Sequence, residues 1–135
     1  MILIDSSAWI EFLRGTGSGT CDLVESLLDD SIAICDPIRM EILAGARDEV
    51  HLADLRALLA RATTLPTGPT HYEEAAALHR RARASGLTVR RPIDCLIAAV
   101  AIDHDVELLH SDRDFDVIAR TSPLRIRSTA PQRHR

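Results

Sequence analysis

Apolar residues fall into two patterns along the chain. Ile2-Leu3-Ile4 and Ile32-Ala33-Ile34-Cys35 are short unbroken apolar runs, each followed by an acid, and they predict buried strands. Glu107 to His110 and Leu124-Arg125-Ile126 predict two more strands, and Thr63 to Leu65 a short edge strand. Between them the spacing turns helical. Ile10 and Leu13 share one face in Ala8–Leu13, as do Leu23 with Leu27 and Val24 with Leu28 in Cys21–Leu28. Asp36-Pro37 reads as an N-cap and first helical position, opening a helix to about Ala46, and another runs from Glu49 to Arg61. Thr70-x-x-Glu73 reads as a capping box for a long helix that Gly86 closes. Pro92 opens the most apolar helix, ending near Asp103, and Ser111 caps a short one over Asp112–Arg120. Strands alternating with helices predict one α/β domain over residues 1–127, with a mainly parallel sheet covered on both faces and a polar, frayed tail at 128–135.

Composition narrows the chemistry. All 16 basic residues are arginine, which excludes a P-loop lysine, a Schiff-base lysine and the lysine of receiver-type phosphoacceptor domains. The formal charge of −4 gives nucleic-acid binding no general support, so that case rests on local clusters. Three dispersed cysteines, Cys21, Cys35 and Cys95, read as reduced core residues. Asp5 interrupts the N-terminal apolar run and no basic segment precedes it, so no signal peptide or membrane association is expected and the cytoplasm is the expected compartment. The glycines at 15, 17 and 19 follow a helix rather than a strand, which argues against phosphate binding there. Ser6 and Ser7 lack the GxSxG setting of a serine hydrolase.

Four acids sit where acids are expensive. Asp5 directly follows the first strand, and Glu41 lies one turn into the helix after the second. Asp94 is embedded in an apolar run, and Asp112 follows the strand that ends near His110. A buried, unpaired carboxylate costs several kcal/mol or loses its charge. Each acid is expected near the carboxyl end of a strand or in an early helical turn, and in an open parallel sheet those positions converge on one crevice. Taken singly, Asp5, Asp94 and Asp112 also fit turns and helix-dipole positions. Together they suit a hard divalent cation held by oxygen ligands, Mg²⁺ or Mn²⁺.

These residues carry a family resemblance. Ile2-Leu3-Ile4-Asp5-Ser6-Ser7-Ala8-Trp9-Ile10 resembles the opening motif of PIN domains of the VapC toxin type. Pro37 to Gly45, containing Glu41, resembles their second motif, Asp94 to Ala99 the third, and Leu109 to Phe115 the fourth. The resemblance implies a three-layer α/β/α PIN-like fold and a Mg²⁺- or Mn²⁺-dependent endoribonuclease, the toxin of a toxin–antitoxin pair. It also implies a homodimer, an RNA substrate and a cognate VapB antitoxin. Carried over by motif, Asp5, Glu41, Asp94 and Asp112 are the metal-site acids, Asp114 is an additional candidate, and Ser7 supports Asp5. Asp5 and Asp94 are the first candidates for direct ligands, and Glu41 for orienting water.

Within Ser111-Asp112-Arg113-Asp114, Asp112 is expected to point into the crevice. Asp114 is expected to return to the backbone of a Ser111 cap. Arg90 and Arg91 precede the Asp94 helix and are candidates for holding substrate phosphates. Arg39 and Arg113 neighbour the acids and are candidates for offsetting their charge or pairing with antitoxin carboxylates. Trp9 is expected in the core or a dimer interface. The competing readings are a receiver- or dehalogenase-like phosphotransfer domain, which lacks its lysine here, and a non-catalytic PIN-like binding module.

Overall fold

A computed structural model describes residues 1–129. In chain order the elements are β1 (Ile2–Ile4), α1 (Ser6–Leu13), α2 (Gly19–Leu27), β2 (Ile32–Ile34), α3 (Asp36–Leu43) and α4 (Glu49–Leu59). They continue with β3 (Thr63–Thr64), α5 (Pro69–Ala84), α6 (Pro92–Asp103), β4 (Glu107–Leu109) and α7 (Arg113–Arg120). The sheet order is β3-β2-β1-β4 and every pairing is parallel. Ile2 lies opposite Ile32 on one side and Glu107 on the other. The chain therefore lays β2 and β3 to one side of β1, then crosses back to lay β4 on the other. That reversal makes the β1–β4 edge the topological switch point, where open α/β sheets bind their ligands.

Right-handed crossovers put α1–α4 on one face of the sheet and α5–α7 on the other. The packing largely follows this division: α1 meets α2 and α3, and α3 meets α4, while α5, α6 and α7 pack on one another, and α3 also meets α6. This is the three-layer architecture expected. Burial explains it element by element. All residues of β1 and β2 are buried, as strands covered on both faces require. Helix α6 is buried without a break from Asp94 to Ala101, so it has no solvent face for most of its length. Helix α5 buries His71, Ala75, Leu78 and Ala82, a stripe at helical spacing. Trp9 is fully enclosed in the core, edge-on to Phe12 at 6.4 Å.

Several helix starts differ from expectation. Cys35, not Asp36, is the N-cap of α3, with Asp36 and Pro37 as the first two helical residues. Proline fits there because its missing N–H has no helical partner in the first turn anyway. The Thr70–Glu73 capping box does not form. Helix α5 starts two residues earlier, with Gly68 as N-cap and Pro69 as first helical residue, and the Gly68 N–H is taken by His71 Nδ1 at 2.9 Å. Gly86 does close α5: at φ +77° it lets Leu87 N–H reach the Ala82 carbonyl at 2.9 Å and its own N–H reach Arg83 at 3.0 Å, a Schellman ending. The last strand is reduced to a single parallel bridge, Leu108 with Ile126. Of the tail expected to fray, residues 130–135 lie outside the described residues. Thr129 packs so closely on Gly19 that a Cβ there would sit 3.1 Å from its carbonyl oxygen.

Candidate metal centre

Asp5 is the N-cap of α1, one residue beyond the carboxyl end of β1. Its Oδ2 accepts from Ser7 N–H at 3.0 Å and from Ser7 Oγ at 2.6 Å. Ser7 Oγ in turn accepts from Ser111 N–H at 2.9 Å. One hydroxyl thus ties the ends of β1 and β4 together and fixes the Asp5 rotamer, the supporting role expected of Ser7. The other oxygen, Asp5 Oδ1, is buried with no hydrogen-bond partner among the described residues. Burial raises the Asp5 pKa, opposed by the Ser7 hydrogen bonds.

Asp94 lies in the first turn of α6 and is 2 % exposed. Its Oδ2 is likewise buried and unpartnered among the described residues. Burial, with Asp5 adding to it, pushes the Asp94 carboxyl up to about 7, and Arg91 opposes the rise. Asp94, Asp112 and Asp114 each present an oxygen within 4.8 Å of the other two. Glu41 is committed elsewhere. Its Oε1 accepts from Ser6 Oγ at 3.0 Å and its Oε2 is paired with the Arg91 guanidinium. Ser6 was not anticipated as part of the site. Its signal in the sequence was its place between the strand-end acid and Ser7, at the start of a helix facing the crevice.

Asp112 lies in the acid cluster, while the cap and the place of Asp114 differ from expectation. Ser111 is not the cap of α7; Asp112 is, and its Oδ1 accepts from Asp114 N–H at 3.0 Å. With the cap displaced by one residue, Asp114 becomes the second helical residue and turns inward, 2 % exposed. It accepts from Arg90 N–H at 3.2 Å and from Arg90 Nε at 3.3 Å. Both acids belong to the cluster, and Asp114 is the more deeply buried.

The arginines separate into two groups. Arg90 pairs with Asp114 and lies 3.7 Å from Asp112, while Arg91 holds Glu41, so both line the acids. Arg39 instead turns to Asp36 at 3.4 Å and Thr64 at 3.1 Å, away from the cluster. Arg113 is exposed and pairs with no acid among the described residues. Neither offsets the acids' charge.

A second gathering of ligand-type side chains, His71, Asp103 and His104, does not suit a cation. Gly68 N–H donates to His71 Nδ1, which leaves the ring proton on Nε2, the atom that meets Asp103 Oδ2 at 2.8 Å. The trio is a brace between α5 and α6. The acid cluster at the switch point, which does not include Asp5 or Glu41, fits a hard divalent cation better, because its donors are oxygens and Asp94 carries one that is buried without a partner among the described residues.

A parallel sheet with an acid cluster at its switch point defines a class, and comparison with known proteins agrees. The chain matches the family described as PIN domain over residues 2–121. Ribonuclease VapC11 of Mycobacterium tuberculosis is 46% identical over 132 residues, covering 95% of this chain and 98% of that protein. The VapC ribonuclease Mb1587 of Mycobacterium bovis matches to the same extent. Among solved structures, VapBC2 from Rickettsia felis, bound to a DNA fragment from its promoter, superimposes with a TM-score of 0.75 at 20% identity, covering 94% of this chain and 98% of that one. The chain belongs to the PIN-domain family, within its VapC group.

Proposed function

We propose that the protein is a divalent-metal-dependent endoribonuclease, the toxin of a toxin–antitoxin pair, acting in the cytoplasm with Mg²⁺ or Mn²⁺. The observation that carries this reading is the convergence of Asp94, Asp112 and Asp114 within 4.8 Å, with Asp94 Oδ2 buried and unpartnered among the described residues. Kinship with ribonucleases of the VapC group supplies the substrate class. Asp94, Asp112 and Asp114 would hold the ion, with Asp5 near enough for its charge to act on Asp94. The chemistry such an ion supplies when bound is a water of lowered pKa and neutralisation of charge at phosphorus. Ser7 and Ser6 keep Asp5 and Glu41 in fixed rotamers, so the carboxylates need little reorganisation when substrate arrives. Asp94 deprotonates to act as a ligand, and its high pKa makes that step sensitive near neutrality.

A VapB-type antitoxin and a second copy of the chain are the proposed protein partners. An apolar groove of about 810 Å³, lined by Pro37, Met40, Tyr72, Ile93 and Leu96, offers buried area for such contacts. No helix among the described residues is long and apolar enough to cross a membrane. The test is RNA cleavage by antitoxin-free protein with Mg²⁺ or Mn²⁺. Cleavage that stops on adding EDTA supports the reading, and cleavage persisting in excess chelator overturns it.

A further inference from the structure

Arg91 occupies a position that no carboxylate ligand role explains. It is the N-cap residue of α6, and its carbonyl accepts from Asp94 N–H at 3.0 Å. Pro92 follows it and restricts its backbone to the extended region it adopts, φ −120° and ψ 109°. The main chain at Arg91 is therefore pinned to the metal-site helix. The side chain is not: it is 49% exposed, while its guanidinium pairs with Glu41 Oε2 from α3. Asp94 and Asp112 act on the same charge. One half-exposed guanidinium thus serves as counter-charge to acids from α3, α6 and the β4–α7 junction.

Its neighbour behaves differently. Arg90 is tied to Asp114 through both its main-chain N–H and its Nε. The Arg91 side chain has only the Glu41 carboxylate as a hydrogen-bond partner among the described residues, and Glu41 retains a second donor in Ser6 Oγ. The Arg91–Glu41 contact can therefore open without leaving Glu41 unsupported. Each divalent charge placed among the acids weakens their hold on the guanidinium, since the two compete for the same carboxylates. A released guanidinium at the rim presents a planar fork of donors, the geometry that pairs with phosphate oxygens.

Resting on the nuclease reading above, we propose that Arg91 exchanges partners: it is the counter-ion of Glu41 in the cation-free site and a phosphate-binding residue for RNA once a divalent cation is bound. Arg91 thereby opposes cation binding while promoting substrate binding, and the two effects have opposite signs in one variant. A residue that merely positioned Glu41 would lower both.

The test compares the wild type, Arg91→Gln, Arg91→Lys and Arg56→Gln, the last removing an exposed positive charge on α4 outside the site. Mn²⁺ affinity of the chelator-stripped proteins is measured by calorimetry. RNA affinity is measured in Mn²⁺ by fluorescence anisotropy with a short mixed-sequence 2′-O-methyl RNA, and KM and kcat on unmodified RNA. Arg91→Gln is expected to bind Mn²⁺ more tightly, on the order of tenfold, and RNA more weakly by a similar factor. KM should rise more than kcat falls. Arg91→Lys should keep near-wild-type Mn²⁺ affinity and recover part of the RNA affinity, and Arg56→Gln should match the wild type in both. Equal or weaker Mn²⁺ binding by Arg91→Gln overturns the exchange, as does unchanged RNA affinity. Wild-type protein that binds no Mn²⁺ overturns the nuclease reading itself, and the exchange with it.

Discussion

Ser7 and Ser111 meet across 104 positions of the chain, where Ser111 N–H donates to Ser7 Oγ at 2.9 Å. The same hydroxyl donates to Asp5 Oδ2 at 2.6 Å, so the ends of β1 and β4 and the first acid share one hydrogen-bond chain. Ser7→Ala breaks both links and leaves the Asp5 carboxylate, 2 % exposed, with one main-chain donor from residue 7. Losing a hydrogen bond to a buried charged group costs about 1.5–3 kcal/mol. Urea unfolding should register a loss in that range, with cleavage falling further because Asp5 loses its fixed rotamer. Unchanged stability and unchanged cleavage would remove Ser7 from the site.

Asp112 and Asp114 should separate by variant. Asn caps helices about as well as Asp, so Asp112→Asn keeps α7 while removing one charge from the cluster. Asp114→Asn removes the charge that Arg90 pairs with inside the protein, leaving a guanidinium poorly matched. Asp114→Asn should therefore cost more in both thermal stability and Mn²⁺ affinity than Asp112→Asn. A smaller loss for Asp114→Asn on both measurements would restore Asp112 as the dominant pocket acid.

Burial raises Asp94 from 3.8 to about 7, and Asp5 shifts in the same direction. The folded, cation-free protein thus binds more protons than the unfolded chain between those values. The contribution of these two groups to stability is fully present below the unfolded pKa and is lost as pH rises through the window from about 4 to 7. Chelator-stripped protein should show a declining contribution to Tm across that window, and Asp94→Asn should flatten it. Added Mn²⁺ should reverse the trend, because cation binding needs the deprotonated carboxylate. A Tm in chelator that rises through the window equally in the wild type and Asp94→Asn would contradict the assigned shift.

The sheet and its helices were legible because the signals are local. Unbroken apolar triplets such as Ile2-Leu3-Ile4 read as strands covered on both faces, and Gly86 marked the end of the long helix α5. Asp94 and Asp112 were legible as neighbours because burial of a carboxylate is costly and parallel topology gathers strand ends, whereas nothing in the sequence put Asp114 in the cluster ahead of Asp5 and Glu41. Cap identity was less legible. Ser111 and Asp112 are both good caps in adjacent positions, and the choice between them depends on His110 Nδ1 accepting Asp112 N–H and on Ser111 N–H being taken by Ser7. Those partners are long-range or conformational, and no spacing rule encodes them. Likewise, nothing local distinguishes Arg39, which turns to Thr64, from Arg91, which turns to Glu41.

Mn²⁺ titration of chelator-stripped protein, followed by calorimetry, tests most directly whether the acids form a cation site. The wild type should bind Mn²⁺ saturably, and Asp94→Asn, folded by circular dichroism, should bind it at least about tenfold more weakly, since a charged ligand is lost from a buried site. Equal affinity in the two proteins, or no saturable binding in the wild type, would contradict the cation site.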